Sequence, residues 1–481
     1  MPIARVAKRL VKDSLRALTR RWNERVQPLP LHRWDLVADA RGRLSLEGVE
    51  LAELIQRFGS PLHVVHAQAL RRNIADFCEP APGHPPCAVY YSYKTNPIPG
   101  VLQLMHARGV GAEVISAYEL WLALRLGVAP RDIIYNGPVK SDDSLRQAIA
   151  REIYLINANH REELVRISTL AHEVGKRPRV GLRVTTSGGW AGQFGCSIAS
   201  GEALEALREA CSDSALDVCA LHAHLGAPIR SAETARGFVH EVMEFAEQAR
   251  QAFGFVPEVI DFGGSLGVPT VAGLGEREKR FNMTLLGELT PPSPDASLSI
   301  RDYVRVVCDE VASCARRHGR DAPKIVLEPG RAMTGNTQLL LTSVHSVKST
   351  REPPLTAILD AGINLAQSVQ SEYHQVFSAT KANQERNIAY RLAGPICSPG
   401  DVLYWSYRLP QLEPGDPLVI ADAGAYFVPF ATSFSFPQPA IVMIDNGRAT
   451  LLRRAERFED LVALDDTQLN APGWDRADRV N

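Results

Sequence analysis

Short apolar stretches alternate with amphipathic helical stretches from residue 61 to residue 336. The apolar stretches end in turn residues, which is typical of buried strands, and the segments between them carry apolar residues at spacings of three and four, which is typical of helices. Eight or nine strand–helix units in about 270 residues predict an α/β fold, a (β/α)8 barrel of the TIM type, with functional residues at the C-terminal ends of the strands. The strand-like stretches are PLHVVH, VYYSYK, AEVIS, DIIYNG, IYLIN, RVGLRVTT, VCALHAHLG, PEVIDFGGS and KIVLEPGR.

The helical pattern stops after residue 336. Residues 337–465 are strand-like segments separated by turn residues, and they predict a second, mainly β domain, a sandwich or a barrel. Residues 28–60 contain the stretch VADARGRLSLEGVEL, which predicts one or two strands that join this domain, and residues 466–481 form a tail. Residues 265–300 are rich in glycine and proline and interrupt the barrel pattern, which indicates either a lid or a disordered insertion.

Residues 1–27 predict a basic amphipathic helix. Eight of the first 25 residues are Lys or Arg and two are acidic, which gives this segment a net charge of +6. Because the whole chain has a net charge of −1, the remaining residues carry −7. Apolar residues recur at helical spacings: Ile3, Val6, Leu10, Val11, Leu15, Leu18 and Trp22. The pattern fits a helix that packs on this protein or on a partner subunit, and it also fits a contact with a membrane surface or a carrier protein.

Composition excludes several classes of protein. The 481 residues carry a net charge of −1, which gives no general case for nucleic-acid binding. No apolar run approaches the roughly 18 residues of a membrane span, and the N-terminus lacks the apolar core of a secretory signal. The eight cysteines form no CxxC pair, so neither a zinc site nor a disulfide framework is indicated, and a reducing, cytoplasmic setting fits best.

Lys94 lies at the end of the apolar strand VYYSYK, directly before a predicted helix. A lysine at a strand end is usually solvated. Alternatively, a lysine with a depressed pKa can hold a carbonyl cofactor as a Schiff base. That function requires a phosphate cradle, a partner for a ring nitrogen, a flat group that stacks on the ring, and an acid that manages protons.

Candidates for these four requirements lie at the ends of later strands. Gly263 and Gly264, in DFGGSLG, allow backbone N–H groups to approach a phosphate. Glu328 and Arg331, in LEPGRAM, suit a protonated ring nitrogen and a phosphate, although they could also form a mutual surface ion pair.

Two histidines, a cysteine and a tyrosine complete the candidates. His222 and His224, in LHAHLGAP, fit either a hydrogen-bonded core pair or an imidazole stacked on a cofactor ring, and a zinc site would lack a third ligand nearby. Cys397 lies in the Gly/Pro turn GPICSPGD, and Tyr426 follows a strand in the tight turn DAGAYF.

The order of these motifs resembles one family over about residues 40–460: the pyridoxal-phosphate-dependent decarboxylases of the alanine-racemase-like fold, such as diaminopimelate, ornithine and biosynthetic arginine decarboxylases. The resemblance implies pyridoxal 5′-phosphate as cofactor, no metal, an amino-acid-like substrate and a homodimer with shared active sites. It implies catalytic roles for the Schiff-base lysine, the ring-stacking histidine, the carboxylate on the pyridine nitrogen and a cysteine supplied across the dimer interface: Lys94, His224, Glu328 and Cys397. It implies phosphate contacts from Gly263, Gly264, Ser265, Arg331 and Tyr426, substrate contacts from Ser398, Asp401 and Tyr373, and an acidic position near the lysine at Glu113.

Four departures from the family pattern concern mainly the substrate. Ser265 replaces the third loop glycine, and Ala227 replaces a serine that offers a phosphate hydroxyl. Ser398 stands where diaminopimelate and ornithine decarboxylases carry Glu or Asp for the distal amine, and the stretch NLAQSVQSEYHQ lacks the arginine that meets a distal carboxylate. A site built for a charged group rejects analogues that lack that group, and a site without the matching partner rejects analogues that carry it. We therefore expect a substrate without a free diaminopimelate end.

The leading hypothesis is therefore removal of the α-carboxylate from an amino acid or amino-acid derivative, free or carrier-bound, in a biosynthetic pathway. The alternatives are a diaminopimelate decarboxylase of lysine biosynthesis and a catalytically silent cofactor-binding protein. Together, Lys94, Glu328 and Cys397 favour an active enzyme. Glu328 also favours a decarboxylase over a racemase, because an arginine at that position would disfavour a protonated ring nitrogen.

Overall fold

The computed structural model describes residue 19 and residues 22–79, 87–349 and 354–465. Its first ten strands are β1 Leu36–Ala38, β2 Leu44–Leu46, β3 Val49–Glu50, β4 Leu62–His66, β5 Ala88–Ser92, β6 Gly111–Val114, β7 Ile133–Tyr135, β8 Leu155–Ala158, β9 Arg179–Thr185 and β10 Cys196–Ser197. The others are β11 Asp217–Ala223, β12 Val259–Asp261, β13 Lys324–Leu327, β14 Gln338–Lys348, β15 Leu355–Leu359, β16 Val376–Ser378, β17 Ile388–Ala393, β18 Val402–Leu409, β19 Pro417–Ile420, β20 Ala440–Asp445 and β21 Arg448–Arg453.

Most of the longer helices belong to the barrel. The α-helices span Leu51–Phe58, Ala67–Cys78, Pro99–His106, Ala117–Arg125, Asp142–Ala150, Arg161–Val174, Glu202–Ser212, Ala232–Phe253, Glu276–Arg280, Ile300–Arg317, Arg331–Thr334, Ile363–Ala366, Phe427–Phe430 and Phe458–Leu461. Several begin at a serine whose hydroxyl accepts a hydrogen bond from the backbone N–H three residues later, as Ser116 does from Glu119 and Ser231 from Thr234.

Eight parallel strands, β5–β9 and β11–β13, close into a barrel. Their side chains alternate between two apolar clusters. Tyr90, Ile134 and Val259 pack together inside the barrel, whereas Val89 and Tyr91 pack with the surrounding helices. Burial on both faces explains why these strands are almost continuously apolar. The predicted (β/α)8 barrel is confirmed, and the C-terminal ends of its strands share one rim.

Strand β4 differs from the prediction, which assigned PLHVVH to the barrel. It pairs antiparallel with β14 and parallel with β20, both outside the barrel. Leu62 and Val64 enter the core of the second domain, whereas Val65 packs with the barrel helices. A strand buried on both faces at a junction has the same apolar pattern as a barrel strand, and its pairing partners lie hundreds of residues away.

The second domain is mainly β, as predicted. Its large sheet has the order β18-β17-β15-β14-β4-β20-β21, and β16 and β19 pair beside β14. A small antiparallel sheet of β1–β3 packs on the same core through Leu36, Leu44 and Leu46. The strands predicted in residues 28–60 therefore contribute to the core of this domain.

Residues 265–300 contact the second domain and form part of the cavity wall. The helix Glu276–Arg280 continues into one π-helical turn, Phe281–Leu285. Asn282 Nδ2 donates to Ser406 O at 2.9 Å, and Glu288 pairs with Arg386 at 2.6 Å, so the segment is fixed to the second domain. Its first residues line the cavity described below.

Residues 1–18, 20 and 21, which carry most of the predicted basic helix, and the predicted tail 466–481 lie outside the described residues. Two residues near the end of the predicted basic helix contact the insertion: Trp22 Nε1 donates to Glu288 O at 3.3 Å, and Asn23 Nδ2 donates to Leu286 O at 3.1 Å. Among the described residues, no helix combines the length and apolarity that a membrane span requires.

Candidate active site

A cavity of about 780 Å³ opens at the C-terminal rim of the barrel and extends toward the second domain. Seven of the predicted site residues line it: Lys94, His224, Gly264, Ser265, Glu328, Arg331 and Tyr426. They come from four barrel strands and one loop of the second domain, which is why their sequence separation is large. The barrel rim brings them together because all parallel strands end there.

Lys94 lies in a single 3-10 turn, Tyr93–Thr95, directly after β5. Its Nζ donates to Glu113 Oε2 at 2.8 Å and to the Ser92 hydroxyl. Burial lowers the pKa of Lys94, but the interactions with Glu113, Tyr426 and Glu328 together outweigh burial, and the pKa lies above its ordinary value. The predicted depressed pKa is therefore wrong. Lys94 is a half-buried ammonium whose Nζ contacts the buried Glu113 carboxylate.

Asn136 joins the Glu113 carboxylate to that of Glu328. Its Nδ2 donates to Glu113 Oε1 at 3.1 Å and to Glu328 Oε1 at 2.6 Å. The side chain is buried at the end of β7, and its Oδ1 accepts from Asn157 at 2.9 Å. Asn136 was missed in the sequence because YNGP is typical of an ordinary turn.

Glu328 and Asp261 share a proton at the bottom of the cavity. Burial raises the pKa of Asp261 well above its ordinary value, and the charge of Glu328 adds to that effect. Burial opposes ionisation of Glu328, but His222 and the hydrogen bond with Asp261 outweigh it and lower the pKa of Glu328. The two pKa values therefore shift in opposite directions, upward for Asp261 and downward for Glu328.

His222 extends this buried pair to a cluster of three residues, because its Nε2 lies 3.5 Å from Glu328 Oε2. The sequence indicated no third metal ligand near the two histidines. That prediction is wrong, because ligand atoms of His222, Asp261 and Glu328 lie within 4.8 Å of one another. The protonated Asp261 and the Asn136 N–H make this cluster a hydrogen-bonded proton-sharing network.

His224 presents a neutral imidazole to the cavity. Burial, together with the positive charge of Arg183, lowers the pKa of His224 to about 3. Its Nδ1 lies 3.0 Å from Ser265 Oγ, which fixes the ring. A neutral ring can lie against a cationic aromatic ring without charge repulsion, so the geometry suits stacking.

The glycine loop after β12 allows backbone groups to come very close. A Cβ on Gly264 would lie 2.7 Å from Glu328 O, and Gly263 has φ +61°. Ser265, which replaces the third glycine of the family, has φ +74°, a left-handed conformation that costs a non-glycine residue about 1–2 kcal/mol. Its hydroxyl accepts from Gly226 N at 3.1 Å and contacts His224, which offsets part of that cost.

Arg331 does not pair with Glu328, the mutual ion pair that the sequence left open. Its Nη1 and Nη2 donate to the two carboxylate oxygens of Glu372 at 2.8 and 2.7 Å. Its Cζ lies 5.0 Å from the ring centroid of Tyr426. Tyr426 has φ +67°, and its N–H donates to Thr95 O at 3.0 Å, next to the lysine turn.

Four predicted residues lie outside this chain's own cavity. Cys397 and Ser398 are exposed on the loop before β18. Asp401 is buried, and its carboxylate accepts from Ile363 N and Ile396 N at 2.8 Å, so it holds that loop rather than a substrate. Tyr373 is buried in the core of the second domain, where its hydroxyl donates to Gln375 at 2.7 Å. The substrate roles predicted for Asp401 and Tyr373 are corrected by these contacts.

The wall of the cavity near His224 is aromatic and was not predicted. Trp190 and Phe194 stack with ring centroids 5.9 Å apart, and Trp190 lies 6.0 Å from the ring of His224. Arg183 lies over Phe194, with its Cζ 4.5 Å from the ring centroid. The loop TSGGWAGQFG carries no local signal for this position, since aromatic residues in a loop do not reveal which surface they face.

Residues 68–335, more than half of the chain, match the family model of the pyridoxal-binding domain of the pyridoxal-dependent decarboxylases. The chain belongs to the pyridoxal-dependent decarboxylases. This decarboxylase uses pyridoxal phosphate as its cofactor. The cavity fits that group, because it combines a half-buried lysine, a buried carboxylate, a neutral imidazole and a close-approach glycine loop.

Curated relatives of this decarboxylase include two diaminopimelate decarboxylases. That of Aquifex aeolicus is 28% identical, with 88% of this chain and 95% of the relative covered. That of Methanothermobacter thermautotrophicus is 29% identical, with 89% and 96% covered. A crystal structure of an Aquifex aeolicus protein is 28% identical with a TM-score of 0.76, covering 90% of this chain and 99% of that one. The whole-chain correspondence shows that the decarboxylase and the family share both domains.

Proposed function

We propose that this decarboxylase removes the α-carboxylate of an amino acid whose distal end is neutral, with Lys94 as the attachment point of the cofactor. The observation that supports this proposal best is the continuous hydrogen-bonded network Lys94–Glu113–Asn136–Glu328 at one end of the cavity. The network connects the Lys94 amine, the Glu113 carboxylate and the Glu328 carboxylate through successive hydrogen bonds.

Lys94 must lose a proton before its amine can attack a carbonyl. Glu113 Oε2, 2.8 Å from Nζ, is in position to take that proton, and Ser92 donates its hydroxyl to the same carboxylate oxygen. The raised pKa of Lys94 keeps the proton on Nζ while the ion pair is intact, so Glu113 holds the lysine in place until the cofactor enters. Glu113 thus positions Lys94 rather than acting on substrate.

Bound pyridoxal phosphate supplies a ring that accepts the electron pair left at Cα when the carboxylate departs. Glu328 favours that acceptance by stabilising a proton on the ring nitrogen, since a fixed anion in a buried site strongly favours a nearby cation. The raised pKa of Asp261 and the lowered pKa of Glu328 favour the negative charge on Glu328. His224 holds one ring face and keeps it dry.

Cys397 supports a homodimer with shared sites. The residue is exposed and lies outside the cavity of its own chain. We propose that a second copy carries it to the cavity, where its thiol protonates Cα after loss of CO₂. The family resemblance and the exposed position of this loop are the two supports for that arrangement.

Mixing inactive Lys94→Ala with inactive Cys397→Ala subunits is expected to restore about a quarter of the wild-type activity. In a heterodimer, one of the two sites has both residues intact, and random mixing makes half of the dimers hybrid. Activity is measured after subunit exchange, with each variant alone as the control. Verified heterodimers that stay inactive would rule out sharing of these two residues.

Three features favour a substrate whose distal end is neutral. Ser398 replaces the expected carboxylate, residues 364–375 contain no arginine, and Trp190 and Phe194 form an aromatic wall. The second candidate is decarboxylation of diaminopimelate itself, and the names of the curated relatives favour it.

Free meso-diaminopimelate, L-ornithine and L-lysine are expected to be poor substrates relative to amino acids with an acylated distal nitrogen, including carrier-bound forms. Losing a charged partner typically costs about 2–5 kcal/mol, or tens- to thousands-fold in selectivity. The measurement is CO₂ release across D and L forms of both groups. A kcat/KM above about 10⁴ M⁻¹s⁻¹ for free diaminopimelate would establish the second candidate instead.

A further inference from the structure

Glu372 places a carboxylate in the wall of the cavity, on the side of the second domain. Its position is fixed by the insertion: Glu372 forms a β-bridge with Gly273, Tyr373 N donates to Ala272 O at 2.8 Å, and Leu274 N donates to Ser371 O at 2.7 Å. The backbone that carries Glu372 is therefore fixed against the insertion.

The carboxylate occupies both terminal nitrogens of Arg331. The two hydrogen bonds, 2.8 and 2.7 Å, are the parallel fork that a guanidinium forms with a carboxylate ligand. Burial acts to raise the pKa of Glu372, but His374, whose Nε2 lies 3.5 Å away, and Arg331 outweigh burial, so the pKa is below its ordinary value. Glu372 is ionised, and the pair has no net charge.

The other cations that line the described part of the cavity have partners as well. Arg230 donates to Ser297 Oγ at 3.0 Å and to the carbonyl of Val271. Arg183 lies on the ring of Phe194, and Lys94 is paired with Glu113. A carboxylate at the distal end of a substrate would find both terminal nitrogens of Arg331 already bonded, and it would meet the charge of Glu372.

We propose that Glu372 is a specificity residue: it occupies Arg331 in the place of a substrate carboxylate and so excludes amino acids with a distal carboxylate. The inference rests on the proposed decarboxylation of an amino acid with a neutral distal end, and it assigns the exclusion to one side chain. A substrate with a distal amide, acyl or hydroxyl group fits beside the neutral ion pair.

The test compares 2-aminopimelate with its distal monoamide, in D and L forms, in the holoenzyme. Glu372→Gln frees one or both terminal nitrogens of Arg331 and removes the repelling charge, so the ratio of kcat/KM for the acid to that for the amide should rise about 10- to 100-fold. Glu372→Asp keeps the charge and should leave the ratio within about threefold of wild type. Glu413→Gln, an exposed residue outside the cavity lining, serves as the matched loss of one negative charge.

A binding measurement separates this inference from the proposed reaction. Calorimetry with pimelate, which cannot be decarboxylated at an amino-acid Cα, should show about tenfold tighter binding to Glu372→Gln than to wild type or Glu413→Gln. If no amino acid releases CO₂, the proposed function fails while pimelate binding still tests Glu372. An unchanged pimelate affinity, or a variant that alters cofactor affinity alone with the acid-to-amide ratio unchanged, would overturn the assignment.

Discussion

Replacing Lys94 with alanine is expected to lower kcat/KM by at least about 10³-fold. The variant removes the only amine that the cavity places against Glu113 and Glu328 among the described residues. The borohydride-reducible link between protein and cofactor should disappear at the same time. Loss of the buried charge also leaves Glu113 without its cation, so thermal unfolding is measured alongside activity to exclude a folding defect.

Lys176→Ala is the matched control, because Lys176 forms an exposed ion pair with Glu152 outside the cavity. Exposed ion pairs contribute about 0–1 kcal/mol, so this variant should keep wild-type activity and stability within a small margin. A Lys94→Ala protein that folds normally and keeps more than a tenth of the wild-type kcat/KM would show that another group performs the role assigned here.

Replacing Glu328 with glutamine is expected to lower kcat by about 10²- to 10³-fold with a smaller change in KM, because a fixed charge aimed at the reacting system acts mainly in the transition state. The glutamine keeps the shape of the side chain and a carbonyl that can accept from Asn136. The variant removes the anion that stabilises a protonated ring nitrogen.

The neighbouring carboxyl group of Asp261 allows this prediction to be tested with a double variant. Asp261 is protonated partly because ionised Glu328 is adjacent, so its pKa should fall when that charge is removed. Asp261 can then supply part of the lost negative charge in Glu328→Gln. The double variant Glu328→Gln/Asp261→Asn should therefore lose about tenfold more kcat than Glu328→Gln alone, although Asp261→Asn alone should cost little. A wild-type kcat in the double variant would contradict the role of this pair.

The barrel and its rim could be predicted because each barrel strand carries its own signal, an apolar run followed by a glycine, proline or charged residue. Lys94, Glu328 and Arg331 were found for the same reason, since each directly follows such a run. The assignment of Leu62–His66 failed because its pattern is identical whether the strand pairs in one sheet or the other. Pairing across nearly 300 residues has no local signal.

The residues that the sequence missed are those whose role depends on a partner. Asn136 matters because it lies between two carboxylates, and Glu372 because it reaches Arg331. Asp401 and Tyr373 were assigned to substrate from motif position, whereas the fold turns them toward backbone N–H groups and toward Gln375. Trp190 lies on a loop whose direction the sequence does not encode locally. Side chains of this kind are located by tertiary packing and not by spacing.

The most direct test of the central claim is borohydride reduction of the purified holoenzyme, followed by proteolysis and mass spectrometry of the peptides. A pyridoxyl group fixed on Lys94, within the segment SYKTN, is the result that the account predicts. A pyridoxyl group on another lysine, or cofactor that binds and leaves every lysine unlabelled after reduction, would contradict it.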